Sequence, residues 1–483
     1  MAKHLTVKSP IDTVRGGGRC ESHSSTFPID MGYEVLRPDG LQIRESVTPT
    51  DVRGEVKGGL RSEAMSGLHP VETVSKPDQV PGATVPSPTP EINVSLLTGG
   101  QDKHYSLGLI KALVSRGVRV EVIGSEEVDS PELHTMPEVN FLNLRGNRRA
   151  DARLVRKIAR VMIYYVRLIQ YALAARPKVF HILWNNKFEY FDRTILMLFY
   201  RLCGKKLVFT AHNVNQGRRD SRDSCLNRLT LKFQYRLVDH IFVHTEKMRD
   251  ELHADFGVPE QSITVLVHPL NVTAPETSLT PVAAKAQLGI HADERTILFF
   301  GAIAPYKGLD ILVAAFQQIV ACDSKYRLII AGRPRGGSDR HWEEIRTTIS
   351  RTIEPTKVIQ DIAYIPDGKM ELYFKAADVL ALPYREIFQS GILFLAYCFG
   401  LPIVAADVGS FRETIIEGRT GFLCKPHDPD ALGKALESYF ESDLFKSLND
   451  TRRDIREYAR SRHSWEPVGQ MTQDVYVRLL RSE

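Results

Sequence analysis

Residues 381–407 read ALPYREIFQSGILFLAYCFGLPIVAAD, and this stretch decides the fold. The apolar run that begins at Val379 ends at Leu382 and predicts a buried strand. Pro383 to Gln389 are polar and predict a loop. A second apolar run opens at Ser390 and Gly391 and stops at Gly400, the signature of a short helix. Pro402 follows, and Ile403 to Ala406 predict the next strand. A helix that starts at the C-terminal edge of a parallel sheet presents unpaired N–H groups and the positive end of its dipole. Such a terminus suits an anion, most often a phosphate. Ser390 and Gly391 are small enough to let a diphosphate reach the backbone.

The chain has 483 residues, 43% hydrophobic and 25% charged, which is ordinary globular composition for two or three domains. A net charge of +5 is too mild to point to nucleic acid, and none is expected as a partner. The six cysteines are scattered without metal-ligand spacing and read as free thiols in a reducing compartment. No apolar run suits a signal peptide or a membrane span. The expectation is a cytoplasmic protein without a metal.

Residues 1–90 hold ten prolines and ten glycines but only two aromatics, Phe27 and Tyr33. Such a segment cannot bury enough apolar surface to offset its ordering entropy, so a disordered N-terminal extension is expected. A first domain is expected over residues 91–272. Within it INVSLL from Ile92, a helix and VRVEVIG from Val118 make a βαβ unit. Gly99-Gly100 at its turn reads equally as a tight turn or as a binding loop. Residues 144–175 predict an amphipathic helix with Ile158, Met162, Tyr165, Leu168, Ile169 and Ala172 at helical spacing. Its start is cationic, with seven basic residues between Arg145 and Arg160. That end reads either as a solvated face or as a contact with anionic lipid headgroups, hence a possible peripheral position at the inner membrane face. KVFHILW, KLVFTAH and HIFVHT predict further strands. They put His181, His212 and His244 near strand ends, where open parallel sheets bind ligands.

Residues 273–285, rich in Thr and Pro, predict a hinge. A second domain over 286–462 repeats the strand–helix alternation, with Asp428 as an expected helix cap. The helical pattern in 463–483 is expected to pack back on the first domain.

LFFGAIAPYKGLDIL, YRLIIAG, YFKAADVLALPY, QSGILFLAYCFGLPIVAADVGSFRETI and GRTGFL follow one another in order. This ordered set resembles the donor-binding domain of family 4 glycosyltransferases of the GT-B fold. VFTAHNVN and DHIFVHTEKMRDEL resemble the acceptor domain of the same family. The resemblance covers about residues 92–480 and implies an α/β protein with two Rossmann-like domains facing across a cleft. It implies retaining transfer from a nucleotide-diphosphate sugar, a co-substrate rather than a bound cofactor, to a saccharide or lipid-linked acceptor. Lys307 matches the family's phosphate-binding lysine, in the loop opened by Gly301. Ser390, Gly391 and Ile392 match the diphosphate-binding turn, and Tyr364 and Ile365 lie where the family holds the base. His212 matches the histidine near the transferred sugar, with Asn213, Gly99 and Gly100 on the acceptor side.

Two family features are missing. Ala302 and Ala304 stand where an arginine beside the lysine is usual, and Ile387 and Leu395 stand where two glutamates are usual. Glu386 is one place out of register, and Gln389 is a further hydrogen-bonding candidate. The departures admit a catalytically impaired relative that binds a nucleotide sugar or a partner; a sugar-nucleotide epimerase is a third, weaker alternative.

Overall fold

The computed structural model describes residues 92–482 apart from Gln101 and residues 147–153, 220–222 and 272–273. The extension expected over 1–90 lies outside them. In the first half the strands are separated by segments long enough for a crossover, so neighbours pair in parallel. β1 (Asn93–Leu97), β2 (Arg119–Gly124), β3 (Val139–Asn143), β4 (Val179–Ile182), β5 (Lys206–Thr210), β6 (His240–Val243) and β7 (Ile263–Val265) form one sheet. Its order is β3-β2-β1-β4-β5-β6-β7, with every pair parallel. β4 and β6 are buried at every position, which is why they read as continuous apolar runs rather than alternating ones.

The second half is built the same way. β8 (Arg295–Phe300), β9 (Tyr326–Ala331), β10 (Val358–Asp361), β11 (Val379–Leu382), β12 (Ile403–Ala406) and β13 (Gly421–Cys424) run in the order β10-β9-β8-β11-β12-β13. Successive residues of β8 face opposite ways, as a pleated strand requires. Leu298 joins the core with Phe374 and Tyr397, and Phe299 joins the other core with Phe316 and Tyr439. Strand order reverses at β1/β4 in one sheet and at β8/β11 in the other. Loops that leave a parallel sheet on the two sides of such a point diverge and leave a crevice. Asp428 caps the helix Pro429–Glu441, accepting the Ala431 N–H at 3.0 Å.

Two expectations need correction. Of the stretch 144–175 expected to be helical, Leu144, Arg145 and Gly146 lie outside any helix, residues 147–153 lie outside the described residues, and the helix described is Leu154–Ala174. Of its expected buried face, Tyr165, Leu168 and Ala172 are buried but Ile158 and Met162 are exposed. The hinge expected through 285 stops earlier. Thr280 caps a helix Pro281–Gln287, accepting the Ala283 N–H, because Lys285 is drawn inside. Its ammonium donates to Asp378 Oδ2 at 2.8 Å, an oxygen that also accepts the Thr296 N–H.

After the helix Leu448–Arg462 the chain returns to the first half, and the helix Trp465–Arg481 packs on the helix Lys103–Val114. A side chain at Gly108 would overlap the Trp465 ring, so glycine there lets the two helices meet. The outgoing and returning segments are bonded to each other. Leu270 N–H donates to the His463 carbonyl at 3.0 Å, and Trp465 Nε1–H donates to the Leu270 carbonyl at 2.9 Å. Tyr476 reaches His181 on β4, with its hydroxyl 2.6 Å from Nδ1, while Thr210 Oγ1 lies 2.7 Å from Nε2.

His181 is fully buried, and burial pushes its imidazole down to about 3. In the unfolded chain it takes its proton near about 6.5. Neutral His181 therefore favours the folded state fully above that pH, and the contribution is lost as pH falls towards 3. Unfolding free energy measured in urea is expected to drop through this window, and His181→Asn to flatten the drop. An unchanged slope in the variant would contradict the assignment.

Candidate active site

The crevice of the second half lies between the loops that leave β8 and β11. These loops are held together by backbone proximity and by one arginine. Gly308 has φ 66°, and a Cβ there would stand 2.0 Å from the Pro383 carbonyl oxygen, so only glycine fits. Arg385 N–H donates to the Tyr306 carbonyl at 2.7 Å. Its guanidinium donates to the Pro305 carbonyl at 2.6 Å and to both oxygens of Asp310 at 2.8 and 2.5 Å. A forked pair of this kind fixes direction as well as distance. The guanidinium also holds the Asp310 carboxyl below its usual range against the opposing effect of burial.

That arrangement places Lys307. Its Nζ stands 3.2 Å from where a Cβ on Gly301 would be, and the Ile392 side chain stands 3.4 Å from the same point. The ammonium lies 5.4 Å from the centre of the Tyr384 ring. Burial pushes the Tyr384 phenol up to about 12, and its hydroxyl is 3.4 Å from Ser390 Oγ. Gly301, Lys307, Ser390 and Ile392 therefore converge at the N-terminus of the helix Gly391–Cys398. Nothing lies within 4 Å of where a Cβ on Gly391 would point, so that turn is open to a ligand. A buried lysine beside unpaired first-turn amides can hold a dianion and stabilise charge that grows on it.

Tyr364 and Ile365 follow β10. Ile365 is buried, and Tyr364 is half-buried with the Arg333 guanidinium 5.6 Å from its ring centre. Arg333 itself follows β9. Its carbonyl accepts the Ile303 N–H at 2.8 Å, and the Arg335 N–H donates back to the Ile303 carbonyl. The structure thus puts an arginine alongside the loop of Ala302 and Ala304. The sequence offered only a polar loop at 333–340, and the pairing of that loop with residue 303 was the missing signal. Ile387 and Leu395 are buried in the core and take no part in the crevice surface. Glu386 is exposed, and its charge raises the carboxyl of Glu251 on the helix Glu246–Phe256, after the larger effect of burial. Gln389 is half-buried. Phe388 packs into the core of the first half, so this loop spans the two halves.

In the first half, His212 follows β5. Its ring stacks on Trp184 at 4.2 Å and 3°, and the Tyr105 ring meets it edge-on at 4.7 Å. Its Nδ1 lies 3.3 Å from His244 Nε2, and His244 Nδ1 lies 3.3 Å from the Leu266 carbonyl. A carbonyl only accepts, so His244 carries its proton on Nδ1. Its Nε2 then accepts from His212 Nδ1–H, and His212 is left with a buried lone pair on Nε2 that has no partner among the described residues. Burial keeps both rings neutral. It holds His212 well below the usual range and lowers His244 to about 4. Gly99 and Gly100 have φ 62° and 70°, and a Cβ on Gly99 would stand 2.7 Å from the Trp184 carbonyl oxygen. The turn is built by close approach to the residue that supports His212. Asn213 is half-buried beside it. Contacts join the halves near both sites: His268 stacks on Phe394 of the Gly391 helix at 4.3 Å, and His104 Nε2 lies 3.6 Å from Asp367 Oδ2. No cluster of metal-binding side chains occurs among the described residues.

The family described as "Glycosyl transferases group 1" matches residues 283–462, and "Glycosyltransferase Family 4" matches residues 99–273. A D-inositol 3-phosphate glycosyltransferase of Kineococcus radiotolerans is 24% identical over 255 residues, covering 50% of this chain and 58% of that protein. One from a Nocardioides strain is 31% identical over 226 residues, covering 44% and 48%. The chain spans about half the length of the curated relatives it matches. Among solved structures, a sucrose-phosphate synthase of Thermosynechococcus elongatus superposes with a TM-score of 0.65 at 18% identity, covering 81% of this chain and all of that one. Anabaena HepE in complex with UDP-glucose gives 0.62 at 16% identity, covering 81% of this chain and 100% of that one. These likenesses carry the fold, two Rossmann-like domains facing across a cleft. With both halves matched in order, the chain belongs to the family 4 glycosyltransferases of the GT-B fold.

Proposed function

We propose that the protein is a retaining glycosyltransferase. It moves a sugar from a nucleotide-diphosphate sugar to a saccharide or lipid-linked acceptor, in polysaccharide, glycolipid or cell-envelope synthesis on the cytoplasmic side. The observation that carries the proposal is the meeting of Lys307 with the open first turn of the Gly391 helix. The UDP-glucose complex of the Anabaena neighbour supports a sugar nucleotide as donor.

The chemistry follows from these groups. Cleavage of the sugar–phosphate bond puts negative charge on the leaving diphosphate. Lys307 and the amides of Gly391 and Ile392 are fixed beforehand where that charge grows, so little reorganisation is needed. The diphosphate oxygen takes the acceptor's proton in a front-face displacement. Neutral His212 accepts a hydrogen bond from a hydroxyl of the transferred sugar through Nε2. Arg333 supplies the cation that Ala302 and Ala304 lack. It lies beside the same loop and next to Tyr364, at the base end of the donor.

A second reading, a weakened enzyme that binds donor without efficient turnover, is favoured by one observation. Leu395, in place of a glutamate, is buried and leaves a ribose hydroxyl without its usual acceptor. A thermal-shift series against UDP, GDP, ADP and dTDP, alone and as sugar conjugates, separates the two when paired with a turnover assay. A ligand at a hundredfold its Kd stabilises by about 2.7 kcal/mol. A shift with turnover supports the transferase, a shift without turnover supports the weakened relative, and no shift refutes both.

Lys307→Ala is expected to lower turnover by about a hundredfold or more. Near-normal kinetics in that variant would refute the donor-site proposal. His212→Ala should reduce kcat more than donor affinity, and equal losses would make it a binding residue only. Arg333→Ala should raise the donor KM roughly tenfold, the size of one charged hydrogen bond, with partial recovery in Arg333→Lys. An unchanged KM would leave the loop without a substitute cation.

A further inference from the structure

We propose that the outer face of the first half's helical layer docks on an anionic lipid surface. The helix Leu154–Ala174 buries Tyr165, Leu168 and Ala172 against the sheet. A second row of apolar side chains faces outward instead: Val155, Ile158, Met162, Val166 and Leu173, between 52% and 76% exposed. Their spacing of three, four, four and seven residues puts them on one side of the helix. Single exposed apolar residues are normal, but a continuous row marks an interaction surface. The row does not stand alone. The helices Met197–Leu202 and Cys225–Leu237 bury side chains in the same core and leave Leu202, Leu226, Leu229 and Phe233 exposed.

Charge identifies the occupant. The helix Leu154–Ala174 carries Arg156, Lys157, Arg160 and Arg167 and no acidic residue. Arg156, Arg160 and Arg167, four and seven positions apart, run along one edge of the apolar row. The helix Cys225–Leu237 also has no acidic residue; its Arg228 is paired with Asp223 just before the helix, and Lys232 and Arg236 repeat the cationic pattern. An apolar ridge edged by cations matches the boundary between anionic headgroups and acyl chains. A second copy of this chain would bring the same cations face to face, which is unfavourable. No helix among the described residues is long and apolar enough to cross a membrane, so the contact is peripheral.

The docking face is connected to the acceptor half of the cleft. Tyr164 donates to Asn186 Oδ1 at 2.6 Å, and Tyr165 stacks on Phe188 at 5.6 Å. These residues continue the loop of Trp184, which carries the His212 ring. Docking therefore sets the acceptor side beside the lipid. That consequence rests on the transferase proposal, whereas the docking itself does not.

The test is flotation of the full chain with extruded vesicles of phosphatidylcholine alone or mixed with phosphatidylglycerol, which needs no turnover. The chain is expected to float with the mixed vesicles at low salt and much less with the neutral ones. Met162→Glu with Val166→Glu should cut the bound fraction about tenfold or more through lost apolar insertion. Arg156→Glu with Arg167→Glu should erase the preference for anionic vesicles. Both pairs are exposed, and matching circular-dichroism melts would show that they fold. The proposal is overturned if the chain does not float. It is also overturned if the glutamate pair floats like the parent, or if Val166→Glu splits a dimer in sedimentation without affecting flotation. Flotation only after removal of residues 1–91 would make that segment the occupant and would equally overturn it.

Discussion

The second half depends on the contact between Gly308 and the Pro383 carbonyl. Two loops from strands on either side of the sheet's reversal can approach this closely only if one residue has no side chain. Once they touch, Arg385 locks them through Asp310 and the Pro305 carbonyl, and Lys307 has little choice of position. It is held beside Gly301 at the head of the Gly391 helix. The Tyr384 ring faces its ammonium and, in the proposed reaction, the diphosphate offsets the cost of burying it. A cation fixed in this way is ready before the ligand arrives, and this readiness makes it useful to a reaction that releases an anion.

The first half solves a different problem. Its site offers a neutral acceptor rather than a positive charge. The Leu266 carbonyl fixes the proton of His244, His244 fixes the proton of His212, and the Trp184 stack fixes the plane of the ring. Each step follows from a group that can only donate or only accept. Burial does the rest by disfavouring the charged forms. The two halves therefore carry different groups: a fixed positive charge in the second and an oriented, buried lone pair in the first.

Much of this was legible in the sequence. Short apolar strands separated by helical periods impose parallel pairing, and the strand–loop–helix run expected at 379–398 forms as read. The Asp428 cap and the return of the last helix also follow from local signals. What could not be read depends on long-range pairing. Arg333 is thirty-one residues from Ala302 in the chain and meets its loop only because the extensions of β8 and β9 pair at residue 303. The burial of Lys285, which turns part of an expected hinge into a helix, depends on Asp378 far along the chain. The helix Leu154–Ala174 misled for a third reason. An apolar period reports that a face avoids water, but not whether protein or something else covers it.

The chain passes between the halves twice, once outward near Leu270 and once back near His463, and the two passages are hydrogen-bonded to each other. A single tether would leave the halves free to swivel about several axes. Two tethers pinned at one place act as the pin of a door. A twist of one half against the other would have to break the Leu270, His463 and Trp465 bonds, which a swing about the line through them would spare. A swing about that line would change the gape of the cleft while leaving His212 and Lys307 in lateral register, and it would have to carry or release Phe388, which is seated in the core of the first half.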